Sequence, residues 1–337
     1  MIDVTADVWV EARGVPDALR RTLDDATGFA DVIDLLRGAR RIVASGNGAA
    51  YYVALAMDLA AQETAGAPEV KAVPAGMLSS GRFVWRDGDV LLSVSSSGQQ
   101  RDIIEALEQG APPHYATVTS APTAPIGAGA TACAVVHVER QRVDTHTQAY
   151  AGNVAVVLAL LAEIAGDDQL ARDVDAAANA CSRALDAAGR WVGELDPGWI
   201  PSAVVSFGTG TGWAGALEAA LLLKEISGIP AEGLESREGA TSGMFALAAQ
   251  HGVLSLPTVD DRHAHEVEQI CAGTGARVLR APGGDLLEAR LAPITTFPAA
   301  LALSITLGQR RGLNVDEPSW TQAYRATARA PLGRGSS

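Results

Sequence analysis

Twice in 337 residues a short apolar run ends in a glycine-rich turn and continues directly as helical sequence. The first copy reads Arg41-Ile42-Val43-Ala44, then Ser45-Gly46-Asn47-Gly48, then residues 49–61 without Pro or Gly. The second reads Ala203-Val204-Val205-Ser206-Phe207, then Gly208-Thr209-Gly210-Thr211-Gly212, then a long helical stretch over 214–226. A strand feeding a helix through a glycine turn is the elementary unit of an α/β layer fold. Its return in the second half of the chain reads as an internal duplication.

Further short apolar runs at 70–73, 89–94, 115–118, 133–138, 252–256 and 276–279 are separated by helical sequence. Helices are expected over 15–37, 102–109, 147–164, 168–195 and 299–312. Apolar strands alternating with helices call for parallel sheets covered on both faces. The expected class is α/β, with two doubly wound parallel sheets of flavodoxin-like type. The expected boundaries are a first domain over 1–166, a bridging helix over 167–198 and a second domain over 199–337. Aromatic residues make up only 5% of the chain against 35 glycines, which favours close helix–sheet packing over an aromatic-lined barrel.

The formal net charge of -13 argues against general affinity for nucleic acid or an anionic membrane surface. A phosphate ligand remains compatible with it, because loop amides and helix N-termini bind anions without a basic patch. Met1-Ile2-Asp3-Val4 opens without the charged start and apolar run of a signal peptide, and the apolar stretch 149–165 is too short and too polar at its flanks to span a bilayer. The expectation is a soluble cytoplasmic protein. Cys133, Cys181 and Cys271 have no metal or redox spacing. His263-Ala264-His265 puts its two imidazoles on different sides of a helix, so no metal is expected there. No cofactor is expected either: the Gly208–Gly212 run misplaces the third glycine of a dinucleotide loop.

Residue detail adds a resemblance. Trp9-Val10-Glu11-Ala12 with Pro16, Leu19 and Leu23 is similar to the opening helix of the isomerase domains of glucosamine-6-phosphate synthase, which are tandem sugar-isomerase (SIS) domains. Residues 93–98 followed by Asp102 resemble the serine-rich phosphate loop of SIS domains. Thr145-His146-Thr147-Gln148-Ala149-Tyr150 resembles that family's Ser-Thr-Lys-Ala-Phe turn, with a one-residue slip. The most specific match is Ala216-Leu217-Glu218-Ala219-Ala220-Leu221-Leu222-Leu223-Lys224-Glu225-Ile226-Ser227, similar to the helix bearing the family's catalytic glutamate. Asn314-Val315-Asp316-Glu317-Pro318 resembles its C-terminal Asp-Pro turn.

The resemblance implies Glu225 as the base that carries a proton between C1 and C2 of a sugar, with Lys224 beside it. A carboxylate in a partly dry pocket suits this work because desolvation raises its pKa toward working pH. It also implies a sugar or sugar phosphate as ligand and a homodimer, since the family builds its active sites from two subunits. Gly46, Asn47, Gly48, Ser95, Ser96, Ser97, Gln100, Thr147 and Arg325 are the expected substrate contacts.

Several family features are replaced. Where the family has a ring-opening histidine this chain has Thr241, whose hydroxyl does not titrate near pH 7. Glu238 or His146 is the alternative acid–base group. The family's C-terminal lysine is missing; Arg325 lies near its place and cannot form an imine. Ala49 and Ala50 stand where the first loop normally ends in a serine, and Gln100 where the second loop has a threonine. At roughly 1 kcal/mol per lost hydroxyl bond, phosphate affinity would fall by about one to three decades unless Gln100 and backbone amides compensate. The glutamine amidotransferase part of the synthase is not expected here. The functional expectation is therefore an aldose–ketose isomerase, or a related aminosugar deaminase or deglycase, acting through an enediol or enolamine on a substrate that is phosphorylated, free or open-chain. The alternative is a catalytically silent SIS-type sensor of a sugar phosphate.

Overall fold

The computed structural model describes residues 5–323 apart from 111, 113, 140, 141 and 260. Three helices open the chain: α1 (Asp7–Arg13), α2 (Val15–Asp25) and α3 (Phe29–Arg37). The expected continuous layer over 15–37 is broken between the last two, where Ala26 and Gly28 both take left-handed backbone angles.

The first sheet follows as β1 (Arg41–Gly46), α4 (Ala49–Glu63), β2 (Glu69–Pro74), α5 (Ala75–Ser79), β3 (Asp89–Val94), α6 (Arg101–Glu108), β4 (Tyr115–Thr119), α7 (Pro125–Gly129) and β5 (Ala132–Val135). Its strands are all parallel in the order β2-β1-β3-β4-β5. β1 and β3 are buried at every residue, which is why both read as mainly apolar runs after their first residues; the hydroxyls of Ser45 and Ser93 within them donate to Val73 O and Thr117 Oγ1 of neighbouring strands. Those first residues, Arg41 and Asp89, stand side by side in the register and form a buried ion pair, with Arg41 Nε 3.0 Å from Asp89 Oδ1 and Nη2 2.5 Å from Oδ2.

Two long helices, α8 (Thr147–Ala165) and α9 (Asp168–Gly193), lead to the second sheet. It comprises β6 (Val204–Gly208), α10 (Thr211–Leu222), a π-helical turn (Leu223–Ser227), β7 (Ala231–Glu235), α11 (Ser236–Thr241), β8 (Gly252–Ser255), α12 (Ala264–Gly273) and β9 (Arg277–Arg280), and α13 (Ala292–Arg310) closes it. The order β7-β6-β8-β9, again all parallel, repeats the first sheet without its fifth strand. The first order is that of flavodoxin-like folds, in which the chain reverses direction between the first and third strands and leaves a crevice at their carboxyl ends.

The sequence reading departs from this at the edges. β7 has no counterpart among the expected strands: its Ala-Glu-Gly-Leu-Glu sequence has few β-formers, and it lies at the edge of its sheet. The last helix starts at Ala292, because Pro293 sits in its first turn, where proline is tolerated.

The two strand–turn–helix units match in backbone angles. Gly48 and Gly210, the residues preceding α4 and α10, share φ +55° with ψ -129° and -133°, a region open to glycine alone. The two helices cross with opposite ends in contact. A Cβ at Gly210 would fall 2.4 Å from Glu63 Oε1, and one at Gly48 would fall 3.8 Å from Leu221 Cδ2.

One apolar core runs from Ala6 to Val315 and includes strands and helices of both halves. Helices α8 and α13 are long and apolar enough to cross a membrane by composition, yet 78% and 100% of their apolar windows are buried inside the protein. Helices that are hydrophobic all round belong in such a core. Arg290, 9% exposed, ties the halves together: it donates to Thr64 Oγ1 and Asp167 Oδ2 at 2.6 Å each and pairs with Glu288.

Candidate functional site

Gly46, Asn47 and Gly48 lie where β1 passes into α4, and Ser95, Ser96 and Ser97 lie where β3 passes toward α6. These are the two loops at the reversal point of the first sheet. The turn is as tight as its glycines suggest: a Cβ at Gly46 would lie 2.7 Å from that of Ala50. Asn47 Nδ2 donates to Asp102 Oδ2 at 2.5 Å, and Ser79 Oγ donates to the other oxygen of Asp102 at 3.0 Å. Ser97 Oγ accepts from the Gln99 amide at 3.3 Å, and Gln100 immediately precedes α6.

Helix α8 passes beside the serine loop. Asn153, 1% exposed, donates from Nδ2 to Ser96 Oγ at 3.2 Å. Ser95 Oγ, Gln100 Oε1 and Asn153 Oδ1 are buried and have no hydrogen-bond partner among the described residues. Unpaired buried polar atoms cost about 1–3 kcal/mol each, and three on neighbouring elements mark a place where a ligand or water completes the bonding.

The turn before α8 is held from α1. Glu11, 7% exposed, accepts from the Arg142 amide at 3.0 Å and from Thr147 Oγ1 at 3.5 Å, so the Thr147 hydroxyl is already engaged. His146 is half-buried immediately before the helix. Asp144, in the same turn, acts electrostatically on Glu225.

Glu225 belongs to the second half, yet it interacts electrostatically with Asp144 and Tyr52 of the first. It sits in the π-helical turn after α10, a local insertion that re-aims side chains and recurs at functional sites. It is half-buried, and its carboxyl is pushed up to about 7, chiefly by burial; Lys224 pulls it down and the negative charge of Asp144 raises it further. Lys224 itself is exposed. Two turns earlier on α10, Glu218 is 4% exposed, and its Oε2 has no hydrogen-bond partner among the described residues. Burial drives its pKa well above the usual carboxylate range, and Glu225 adds to the shift. Tyr52 of α4 and Tyr150 of α8 complete the cluster. Burial raises both phenols, Glu218 raises both further, and Glu225 also acts on Tyr52.

The chemistry of two carboxyls in one apolar setting is asymmetric. Glu218, the more deeply buried, has its ionisation opposed more strongly, whereas Glu225 titrates near neutrality, where a carboxyl can act as a base. Because the Glu218 pKa is raised in the fold, the folded state binds more proton than the unfolded one at pH values between the unfolded and folded pKa. Stability should then fall by about 1.4 kcal/mol per pH unit from this group as pH rises toward its folded value. Glu218→Gln removes the dependence. Its unfolding free energy, measured in denaturant between pH 5 and 8, is expected to overtake the wild type progressively; parallel pH curves would show that Glu218 is ionised.

Glu238 and Thr241 lie elsewhere, in α11 after β7. Both are exposed. Thr241 Oγ1 donates to the carbonyls of Arg237 and Glu238, and Ser242 Oγ donates to Glu238 Oε1 at 2.7 Å. Among the described residues no hydrogen bond or ion pair joins either to Glu225. Arg325 lies outside the described residues. The cluster thus contains Glu225 with its neighbour Lys224 and the turn bearing His146 and Thr147. Glu218, Tyr52, Tyr150, Asp144 and Asn153 were not anticipated as site residues. Glu218 carried a readable signal, being the single charge in the apolar run 211–223.

No family model matches the chain, and no curated protein matches it by sequence. Solved structures do resemble it. The C-terminal domain of glucosamine-fructose-6-phosphate aminotransferase from Francisella tularensis superposes with a TM-score of 0.79 at 18% identity, covering 93% of this chain and 98% of that one. Glucosamine-6-phosphate deaminase from Thermotoga maritima gives 0.77 at 16% identity, with the same coverage. Tagatose-6-phosphate ketose/aldose isomerase from Escherichia coli gives 0.76 at 16%, covering 94% and 96%. The chain shares their fold over nearly its full length. At such identities the likeness is one of fold.

Proposed function

We propose that the protein is a sugar or sugar-phosphate isomerase, or a deaminase of the same chemical type, with Glu225 as the carbon base. The observation that carries this is the Glu225 carboxyl itself: half-buried on a π-helical turn, titrating at about 7, and grouped with residues of α4 and α8 beside the first crevice. Aldose–ketose exchange needs one group that takes the proton from C2 and returns it at C1, while a proton passes from the C2 hydroxyl to the C1 oxygen through the enediol. A base poised near the working pH does both steps with little driving-force penalty. The three fold relatives above act, by name, on six-carbon sugar phosphates. The unpaired polar atoms around Ser95, Gln100 and Asn153 suit the distal end of such a ligand. The family resemblance adds a homodimer to this reading.

The deciding experiment is proton NMR in D2O with paired phosphorylated and free hexoses, aminosugars and fructosamines. Loss of the C1 or C2 proton signal identifies the substrate class. No exchange with any of them, alongside a ligand-induced rise in melting temperature, would replace the enzyme with a sensor.

The pH profile supplies a second check. The base works only when ionised, so kcat/KM should rise with pH through about 7. Asp144→Asn removes a charge that raises the Glu225 pKa, and the rise should move to lower pH. Lys224→Met removes a charge that lowers it, and the rise should move to higher pH. Shifts in one common direction would show that another group controls the limb.

A further inference from the structure

The π-helical turn that carries Glu225 leaves that residue's carbonyl without a backbone donor among the described residues. The amide four residues on, Ile229, donates to Leu223 O at 3.3 Å, and the residue five on is Pro230, which has no N–H. The carbonyl of Leu223 also accepts from Ser227 Oγ at 2.5 Å and from the Gly228 amide. Bonding is thus concentrated on one carbonyl of the turn and missing from another.

The missing donor comes from the far end of the chain. Trp320 Nε1 donates to Glu225 O at 2.6 Å, and Arg311 donates to Ser227 O. Residues 313–321 run between them as a strap. Val315, 6% exposed, packs against Gly308, and Asp316 accepts at both carboxylate oxygens, from the Asp7 amide at 3.0 Å and the Val8 amide at 2.9 Å. Two carboxylate bonds to the first amides of α1 are a strong cap. From α1 the bonding continues through Glu11 to the Arg142 amide and Thr147, in the segment that carries Asp144. The base and the charge that tunes it are therefore held by one hydrogen-bonded frame.

We propose that Trp320 is a positioning residue for Glu225: its indole N–H fixes the π-helical turn through the carbonyl of the base, and Asp316 anchors it by tying the strap to α1. Catalytic consequences of this rest on the isomerase reading; the structural part does not.

The test uses Trp320→Phe, which keeps a ring in place and removes the N–H, with Asp316→Asn as the second variant, both in the full chain. Hydrogen exchange at the amides of Gly228 and Ile229 is expected to speed up by about tenfold or more in each. Exchange in α4 and β3 should stay as in the wild type. On a substrate that the wild type turns over, kcat should fall by roughly ten- to a hundredfold, the usual cost of a misplaced group, with KM within about twofold. Unchanged exchange at Gly228 and Ile229 in both variants would overturn the proposal whether or not any sugar is turned over. Faster exchange with unchanged kcat would equally overturn it, leaving Trp320 a stability contact. A wild type inert toward every sugar defeats the isomerase reading instead, and the exchange rates still decide the strap.

Discussion

Glu225→Gln is expected to lower kcat by about 10²–10⁴-fold and to abolish exchange of the C1 and C2 protons with D2O. The range is that of a positioned general base, and the substitution isolates it. Glutamine keeps the size of the side chain and can still accept a hydrogen bond to a sugar hydroxyl, but it cannot take a proton from carbon. KM should therefore change little. The fold should not suffer, because a carboxyl whose ionisation is already opposed by burial is replaced by a neutral group. A melting temperature equal to or above that of the wild type, together with lost exchange, separates chemistry from stability. Exchange that persists in the variant would point to a different base, with His146 in the neighbouring turn the next to replace.

The second large effect concerns stability. Asp89→Ala leaves Arg41 charged and unpaired with 5% of its side chain exposed, and is expected to cost about 3–5 kcal/mol of unfolding free energy. Burial opposes ionisation of Asp89, but the hydrogen bonds from Arg41 and from the Arg86 amide, with Arg41's charge, hold its pKa below the usual value. The contribution is thus complete at neutral pH and lost as pH falls through that lowered value. Asp89→Leu with Arg41→Met removes both charges and should recover most of the loss. Because one core spans both halves, denaturant curves read by fluorescence and by circular dichroism should coincide. A single variant within about 1 kcal/mol of the wild type would show that water reaches Arg41.

Much of this architecture was legible because parallel strands buried on both faces leave apolar runs, and glycine turns punctuate them. β1, β3 and β6 are of that kind. β7 was not, since Ala231-Glu232-Gly233-Leu234-Glu235 takes its strand form from pairing with β6 and has little preference of its own. At the site, Glu225 was found through the residues around it, whereas charge pattern by itself describes any helix-end glutamate. What brings Tyr52, Tyr150 and Asp144 to it is the packing of α4, α8 and α10, and contacts between segments a hundred residues apart leave no local trace. The π-helical turn was equally hidden: Leu-Lys-Glu-Ile-Ser reads as ordinary α-helix, and the donor that Glu225's carbonyl needs arrives from Trp320.

The matched glycines before α4 and α10 have a consequence for the asymmetry between the halves. The step along the chain that carries Gly48 onto Gly210 also carries Glu63 onto Glu225. Each glutamate lies near the end of its own helix run, with Glu63 against the glycine turn of the opposite half. The same step carries Ala56 onto Glu218, so the partner carboxyl exists in one copy only. Glu63 is exposed to water, while Glu225 is enclosed among tyrosines and a second acid. One position of the strand–turn–helix unit is thus a water-exposed glutamate in the first half and, in the second, a glutamate whose carboxyl burial raises to about 7.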